Sequence, residues 1–444
     1  MRSFKHAGDG TRSGLPPLLA AGRDRGDRYA PGMTVMTASE LRRYADAIVR
    51  TCLQTRTGDV VAIHGETGHR PLVLAITEAA YQAGARFVDV LYVDPVVRRS
   101  RVAEVHDAAS LSWQPKWHSD RMKELLALDA AIVSITGEAE PGLMVGLDPE
   151  RAVLESSSRV PGREVYLKAV ASGEARFCVV AYPQAAWAKT VYPTLTEDRA
   201  LRKLAQDLLS FTRLAPADAD DAWARHVDTL VARARQLSER GFTALELTAP
   251  GTDLRLGLAP KTRFLAAEMQ RSDGRRFCAN LPTEEVFASP DAARTEGHFA
   301  CTRPLSLEGN VIEGIKAEFS GGRLTRVQAK RPAHRDFLAG YFARDRDAGR
   351  LGEVALVDRA SRIGQTGRVY GMTLLDENAV AHVAFGSGFE QSRVPDAALK
   401  GPRGVNRSQI HVDVMIGCDE LEVVGVTAQG QRVPVLEAGT WVLT

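Results

Sequence analysis

The sequence predicts an α/β protein in two parts: an N-terminal parallel-sheet α/β domain, then a mixed-sheet α+β domain that binds metal and carries the chemistry. Three observations predict it. From Ser39 to Tyr182 short β-branched runs alternate with helical stretches, the pattern of βαβ units on a parallel sheet. After Gly241 the apolar residues change to a period of two, with glycine-containing turns between runs, the pattern of antiparallel or mixed sheet. The length, 444 residues, also exceeds what one hydrophobic core usually fills. The expected division is a flexible extension over residues 1–35, the α/β domain over 36–217 and the metal-binding catalytic domain over 218–444.

Met1 to Met33 is rich in Gly, Arg and Pro. Its one apolar patch, Leu15 to Ala21, is interrupted by Pro16 and Pro17, and a secretory h-region would be longer and unbroken. Beyond it, Leu41, Tyr44, Ala45, Ile48 and Val49 fall at helical spacing. Gly58-Asp59 breaks the chain before the strand Val60 to Ile63, and Gly84 stops a helix over Leu72 to Ala83. Phe87 to Val93 reads as a second, buried strand. The intervening loop, His64 to His69, sits where nucleotides bind, but it is not G-x-G-x-x-G and lacks a Lys-Ser/Thr pair. His64 and His69 are therefore expected to be ordinary loop residues. The alternation continues with strands at Ala130 to Ile135 and Phe177 to Tyr182, and helices at Glu197 to Arg213 and Ala222 to Glu239. Pro216 and the Asp/Ala cluster Asp218 to Asp221 mark the hinge. Ala244 to Thr248 and Asp253 to Leu258 then alternate on either side of Pro250-Gly251, as a β-hairpin does.

Composition narrows the class. Lys+Arg 57 against Asp+Glu 55 leaves a net charge of +2, too balanced for a nucleic-acid or membrane surface as the main partner. No apolar run approaches the roughly 20 residues that span a bilayer. Five widely spaced cysteines without a C-x-x-C pair fit a reducing compartment and argue against a disulfide framework. A cytoplasmic enzyme acting on peptides or small molecules is the expectation.

Four clusters in the second half combine metal-binding side chains. Asn280 to Phe287 holds adjacent Glu284 and Glu285 in an extended segment, so the two carboxylates point to opposite sides of the backbone and can take different roles, one as ligand and one towards a bound water. Glu353 opens the apolar run Val354 to Val357, where an unpaired carboxylate would cost several kcal/mol. His382 sits among small apolar residues ahead of Gly386. His411 and Asp413 alternate with Val412 and Val414, so on a strand they share one face. Each cluster alone has an ordinary explanation. Together they supply His and carboxylate ligands suited to Zn²⁺, Mn²⁺, Co²⁺ or Fe²⁺, in a number that matches two ions bridged by a carboxylate and a water.

With these segments on the page, the chain resembles the aminopeptidase T family, which includes thermophilic and PepS-type metallo-aminopeptidases. The resemblance runs from about Leu41 to Thr444. It rests on Ala181-Tyr182-Pro183 with Trp187-Ala188-Lys189, Pro250 to Leu254, Asn280 to Phe287, Gly352 to Val357, Asp376 to Ala379, and His411-Val412-Asp413 with Met415-Ile416-Gly417. It implies a homodimer that encloses its active site, a peptide or small-amide substrate, and Glu285, Glu353, His382, His411 and Asp413 as ligands of two ions (Zn, Co or Mn). Glu284 is then expected to be the general base on the metal-bridging water. One position departs from the family pattern: Phe389 stands where a tyrosine is expected, seven residues after His382. Phenylalanine cannot donate a hydrogen bond to a substrate oxyanion, and Tyr370 is the expected substitute. Ala259 to Ala266 also replaces a Gly-rich stretch. The alternative reading is a mononuclear Fe(II) enzyme, a hydroxypyridine ring-cleaving dioxygenase on the same fold, with His382, His411 and Asp413 as a two-His-one-carboxylate set. Retention of Glu285 and Glu353 argues against it.

Overall fold

A computed structural model describes residues 35–444, apart from residues 220, 260, 272, 309 and 394–403. The expected extension thus lies, but for residue 35, outside the described residues, as does Pro260 of the segment Ala259 to Ala266. The helix Ala38–Asp46 opens on a capping box: the Glu40 amide donates to Thr37 Oγ1 at 3.2 Å, and the Thr37 amide donates to the Glu40 carboxylate at 2.7 Å. Its buried face is Leu41, Tyr44 and Ala45, and a π-helical turn, Ala47–Cys52, continues it.

Four β-branched strands form a parallel sheet in the order Phe87–Val93, Val60–Glu66, Ala131–Thr136, Arg176–Ala181. Phe87–Val93 forms where the sequence places it but is not buried. It is the edge strand, with Val88 its one buried residue, because nothing pairs with its outer side. His64 belongs to the strand rather than to a loop and faces Arg121 at 3.1 Å. His69 is buried in the turn that follows, its Nε2 2.8 Å from the Gly137 carbonyl. Among the described residues no helix is long and apolar enough to cross a membrane, and all five cysteines are free.

The second half is antiparallel, as the period of two predicts. The hairpin Ala244–Ala249 and Thr252–Gly257 turns at Pro250-Gly251 and sits inside an eight-stranded sheet. The parallel sheet then acquires a fifth strand from this half: Asn280–Leu281 pairs with Val179 and Val180. The chain runs straight on into a four-stranded sheet in the order Glu285–Ala288, Leu351–Val357, His382–Gly386, His411–Met415, every pair antiparallel.

Pleating sends alternate side chains of this small sheet to opposite faces. One face carries Val286, Val354, Leu356, Val383, Phe385, Val412 and Val414, all buried. There the Phe385 ring stacks on Phe342 with centroids 3.9 Å apart and packs against Phe299 and Phe319. The register puts Glu285, Glu353, His382, His411 and Asp413 together on the other face, with Ala355, Ala384 and Gly386 between them. The small residues leave open the volume that the five polar side chains border.

Gly386 tests this floor. Its φ is +92°, and an added Cβ would lie 2.1 Å from the Ile410 carbonyl oxygen. Gly386→Ala is expected to cost at least ~2 kcal/mol, from a disfavoured backbone and a displaced neighbouring strand. Thermal melting reads it; a variant melting with the parent would show that the sheet absorbs the methyl group.

Candidate metal centre

All four strands contribute to one cluster. The Glu285, Glu353 and His382 donor atoms lie within 4.8 Å of one another, and so do those of Glu353, His411 and Asp413. His382 Nε2 is 3.2 Å from Glu285 Oε2, and His411 Nε2 is 3.2 Å from both Glu353 Oε2 and Asp413 Oδ1. Glu353 belongs to both groups. It follows a register shift between Leu351 and Glu353 that sets its place on the pleat. The structure thus brings together all five side chains that the sequence singles out as ligands.

The imidazoles are oriented for a cation. His411 Nδ1 donates to the Ser387 carbonyl at 2.7 Å, and His382 Nδ1 faces the Val380 carbonyl at 3.4 Å. Each ring therefore turns Nε2 towards the carboxylates, the arrangement that fixes the tautomer of a metal-bound histidine. Asp413 Oδ1 is buried and accepts no hydrogen bond, although His411 Nε2 stands 3.2 Å away. An orphaned, buried carboxylate oxygen beside two aimed imidazoles fits a divalent ion.

Glu377 is the member the sequence reading missed. It follows directly on the short helix Thr373–Asp376, in the turn Glu377–Ala379, and lines the same cavity. The Asn280 and Asn378 side-chain amides approach its Oε1 at 3.5 and 3.4 Å. The available signal was an acidic residue in Asp376 to Ala379, five residues ahead of His382, in a run that is otherwise buried.

The electrostatics follow from four carboxylates meeting away from water. Burial, and then Asp413 and Glu285, push the Glu377 carboxyl well above its ordinary range. Burial also raises Glu353 against the pull of His411. Burial opposes charge on His382, but Glu285, Asp413 and Glu353 outweigh it and lift the imidazole to about 10. His411 is raised in the same way against burial, chiefly by Asp413. Burial pushes Asp413 up, yet His411 holds it below the usual carboxylate range. Without a cation the cluster keeps protons to offset its own charge, and divalent ions would replace them.

The cluster closes one end of a cavity of about 260 Å³. The apolar wall comes from Tyr166, Leu167 and Val170 of the helix Val160–Ala171, with Phe177, Met269 and Phe287. Phe389 lines it too, its ring edge-on to His411 with centroids 5.7 Å apart and against Phe287 at 5.0 Å. No hydroxyl occupies that position.

Two expected site residues lie elsewhere. Glu284 points to the far side of the strand, as alternation with Glu285 requires, and there Arg213 holds it through both oxygens at 3.0 and 3.1 Å. His226 Nε2 adds a contact at 3.4 Å, and the Glu284 amide donates to Asn378 Oδ1 at 2.7 Å. A carboxylate clamped by a guanidinium is a structural anchor, so the expectation that Glu284 faces the bound water is corrected. Tyr370 is also displaced. It does not line the cavity; its hydroxyl is engaged with Asp207 at 3.4 Å and Thr366 at 3.3 Å, and its ring is edge-on to Phe211. It does not replace the phenol that Phe389 lacks.

The chain is similar to known proteins over most of its length. The thermophilic metalloprotease (M29) family matches residues 37–441. Aminopeptidase T of Thermus aquaticus is 35% identical over 405 residues, covering 91% of this chain and 98% of its own length. Aminopeptidase AmpS of Bacillus subtilis is 31% identical over 408 residues, again 91% of this chain and 98% of its own. The solved structure of wild-type AmpT from Thermus thermophilus aligns with a TM-score of 0.82 at 33% identity, covering 91% of this chain and 99% of that one.

The Glu284 anchor predicts opposite outcomes for two variants. Arg213→Leu leaves a buried carboxylate without its guanidinium and is expected to lose ~3–5 kcal/mol of stability in urea denaturation. Glu284→Gln is expected to keep its metal and to turn over within a few-fold of the parent. A loss of about 10² or more in kcat with stability intact would return the base role to Glu284.

Proposed function

The chain belongs to the thermophilic metalloprotease (M29) family and is a metal-dependent aminopeptidase, and from that premise we propose that it removes N-terminal residues from peptides, or opens related small amides, with two divalent ions that share Glu353. The observation that carries the pair is the membership of Glu353 in both donor groups, Glu285 and His382 on one side, His411 and Asp413 on the other. Ions held there would polarise the scissile carbonyl and make a bound water acidic enough to act near neutral pH. The mixed nitrogen and oxygen donors suit Zn²⁺, Co²⁺ or Mn²⁺. A single Fe(II) on His382, His411 and Asp413 would leave Glu285 and Glu353 without a role, so the dioxygenase reading is set below the hydrolase.

The chain's own residues supply the rest. Glu377 borders the cavity beside the five ligands, and no guanidinium among the described residues binds it. It is the residue we assign to carry the proton from water to the leaving amine, in place of Glu284. Asn280 Nδ2 restrains one of its oxygens, leaving the other to exchange the proton. Tyr166, Met269, Phe287 and Phe389 exclude water and favour an apolar N-terminal side chain. Phe389 offers no donor to a developing oxyanion, where a hydrogen bond is commonly worth ~2.7–4 kcal/mol; ions held by Glu285, Glu353, His382, His411 and Asp413 would supply charge stabilisation there. A cytoplasmic homodimer accords with the free cysteines and with exposed apolar residues, among them Phe87 and Val93 on the edge strand and Val97, Trp113 and Trp117.

Metal analysis and kinetics test this reading. Glu353→Ala is expected to lose both ions, whereas His382→Ala keeps about one; equal, partial losses in the two variants would remove the shared-ligand arrangement. Glu377→Gln is expected to retain metal while kcat falls by about 10²–10⁴. Unchanged turnover on a leucyl amide would place the proton carrier elsewhere.

A further inference from the structure

One polar side chain on the cavity lining takes no part in holding metal or moving the proton. The five donors and Glu377 form the charged cluster, and Asn280 reaches Glu377. Ser387 Oγ turns to the Gly388 carbonyl at 3.4 Å. Tyr166 is the lining residue that remains. Its hydroxyl has no hydrogen-bond partner among the described residues.

The helix Val160–Ala171 presents this side chain. Tyr166 and Val170 stand one turn apart, as do Leu167 and Ala171, and all four border the cavity. The Tyr166 ring is edge-on to Phe177, with centroids 6.1 Å apart and an interplanar angle of 78°. It packs on the apolar cluster that includes Met269, Phe277 and Phe287. Burial pushes its phenol well above the usual range, yet the side chain keeps open surface. Both hold where the open part faces the cavity that the residue lines. A tyrosine hydroxyl inside a protein ordinarily finds a partner. Here the surrounding side chains are hydrocarbon, so the protein itself offers none.

We propose that the Tyr166 hydroxyl is a specificity determinant: it hydrogen-bonds the phenol of an N-terminal tyrosine, so that tyrosine is removed ahead of phenylalanine. The proposal deepens the aminopeptidase reading and rests on it. With the scissile carbonyl at the metal cluster, the N-terminal side chain extends along the apolar wall of the same cavity. At about 260 Å³ this space lies below the ~300–1,000 Å³ of pockets that take drug-sized ligands. It suits one large side chain rather than a length of peptide. An aromatic body matches the rings of Phe177, Phe287 and Phe389. A phenol both donates and accepts, so the two hydroxyls satisfy each other in either direction. Phenylalanine or leucine in that place covers the Tyr166 hydroxyl and gives it nothing.

The test compares Tyr-Ala-Ala, Phe-Ala-Ala and Leu-Ala-Ala on the metal-loaded enzyme, in the wild type and in Tyr166→Phe. In the wild type, kcat/KM for the tyrosine peptide is expected to exceed that for the phenylalanine peptide by about tenfold. In Tyr166→Phe that ratio is expected to fall to one or below, because the substrate phenol then meets only hydrocarbon. Each ratio is taken within one preparation, so metal loading and folded fraction cancel. A wild-type ratio near one overturns the assignment while the aminopeptidase reading stands, and this result needs no variant to fold. A tyrosine preference that survives the substitution also overturns it, since another group then reads the hydroxyl. If the wild type cuts none of these peptides, the aminopeptidase reading fails and the assignment falls with it.

Discussion

Four buried carboxylates, Glu285, Glu353, Glu377 and Asp413, are brought together on the lining of one cavity. Their mutual repulsion is the constraint around which this half of the molecule is arranged, because buried like charges persist only where positive charge compensates them. His382 and His411 provide part of that compensation, and their backbone partners fix which nitrogen faces inward. A rigid sheet is needed to hold such groups against each other. The apolar face opposite, stacked through Phe385 and Phe342, supplies that rigidity by packing alone. One face of four short strands is a core; the other is a charged site with a floor of Ala355, Ala384 and Gly386.

The parallel sheet is tied into the same arrangement. Asn280 lies on its fifth strand and also reaches the Glu377 carboxylate, so the two sheets meet at the cavity through a single stretch of chain. Phe177 and Val179 contribute to the wall from the parallel sheet. Cavity shape therefore depends on the N-terminal half, while the donor set belongs wholly to the C-terminal half. The wall thus draws on both halves, with Met269, Phe287 and Phe389 from the second, while the donor set draws on one.

The regular elements were legible because local patterning and tertiary packing agree there. The helix Ala222–Glu239 and the hairpin around Pro250-Gly251 form where their periodicity places them. The converging donors were legible for a related reason: Glu353 and His382 each interrupt an apolar run, and polar groups in such runs need partners. What sequence did not disclose was where long-range partners stand. Alternation puts Glu284 and Glu285 on opposite sides, but nothing local says that Arg213, 71 residues earlier, waits on the side of Glu284. Tyr370 was close in sequence to the site and is held away by Asp207. Glu377 sits in a turn with no period to mark its direction, and the exposure of Phe87–Val93 depends on its being last in the sheet order. These are properties of topology rather than of neighbouring residues.

The adjacent glutamates carry a consequence of their own. One carboxylate anchors the strand to the end of a helix, and the next completes the donor set. The two tasks are distinguished by the parity of the chain and not by the chemistry of the residues, which is identical. An insertion or deletion of a single residue between Pro282 and Val286 would exchange the two environments without changing composition, presenting a ligand to Arg213 and an anchor to the cavity. This short stretch should therefore tolerate conservative replacement far better than any change in length. Its information is carried in phase.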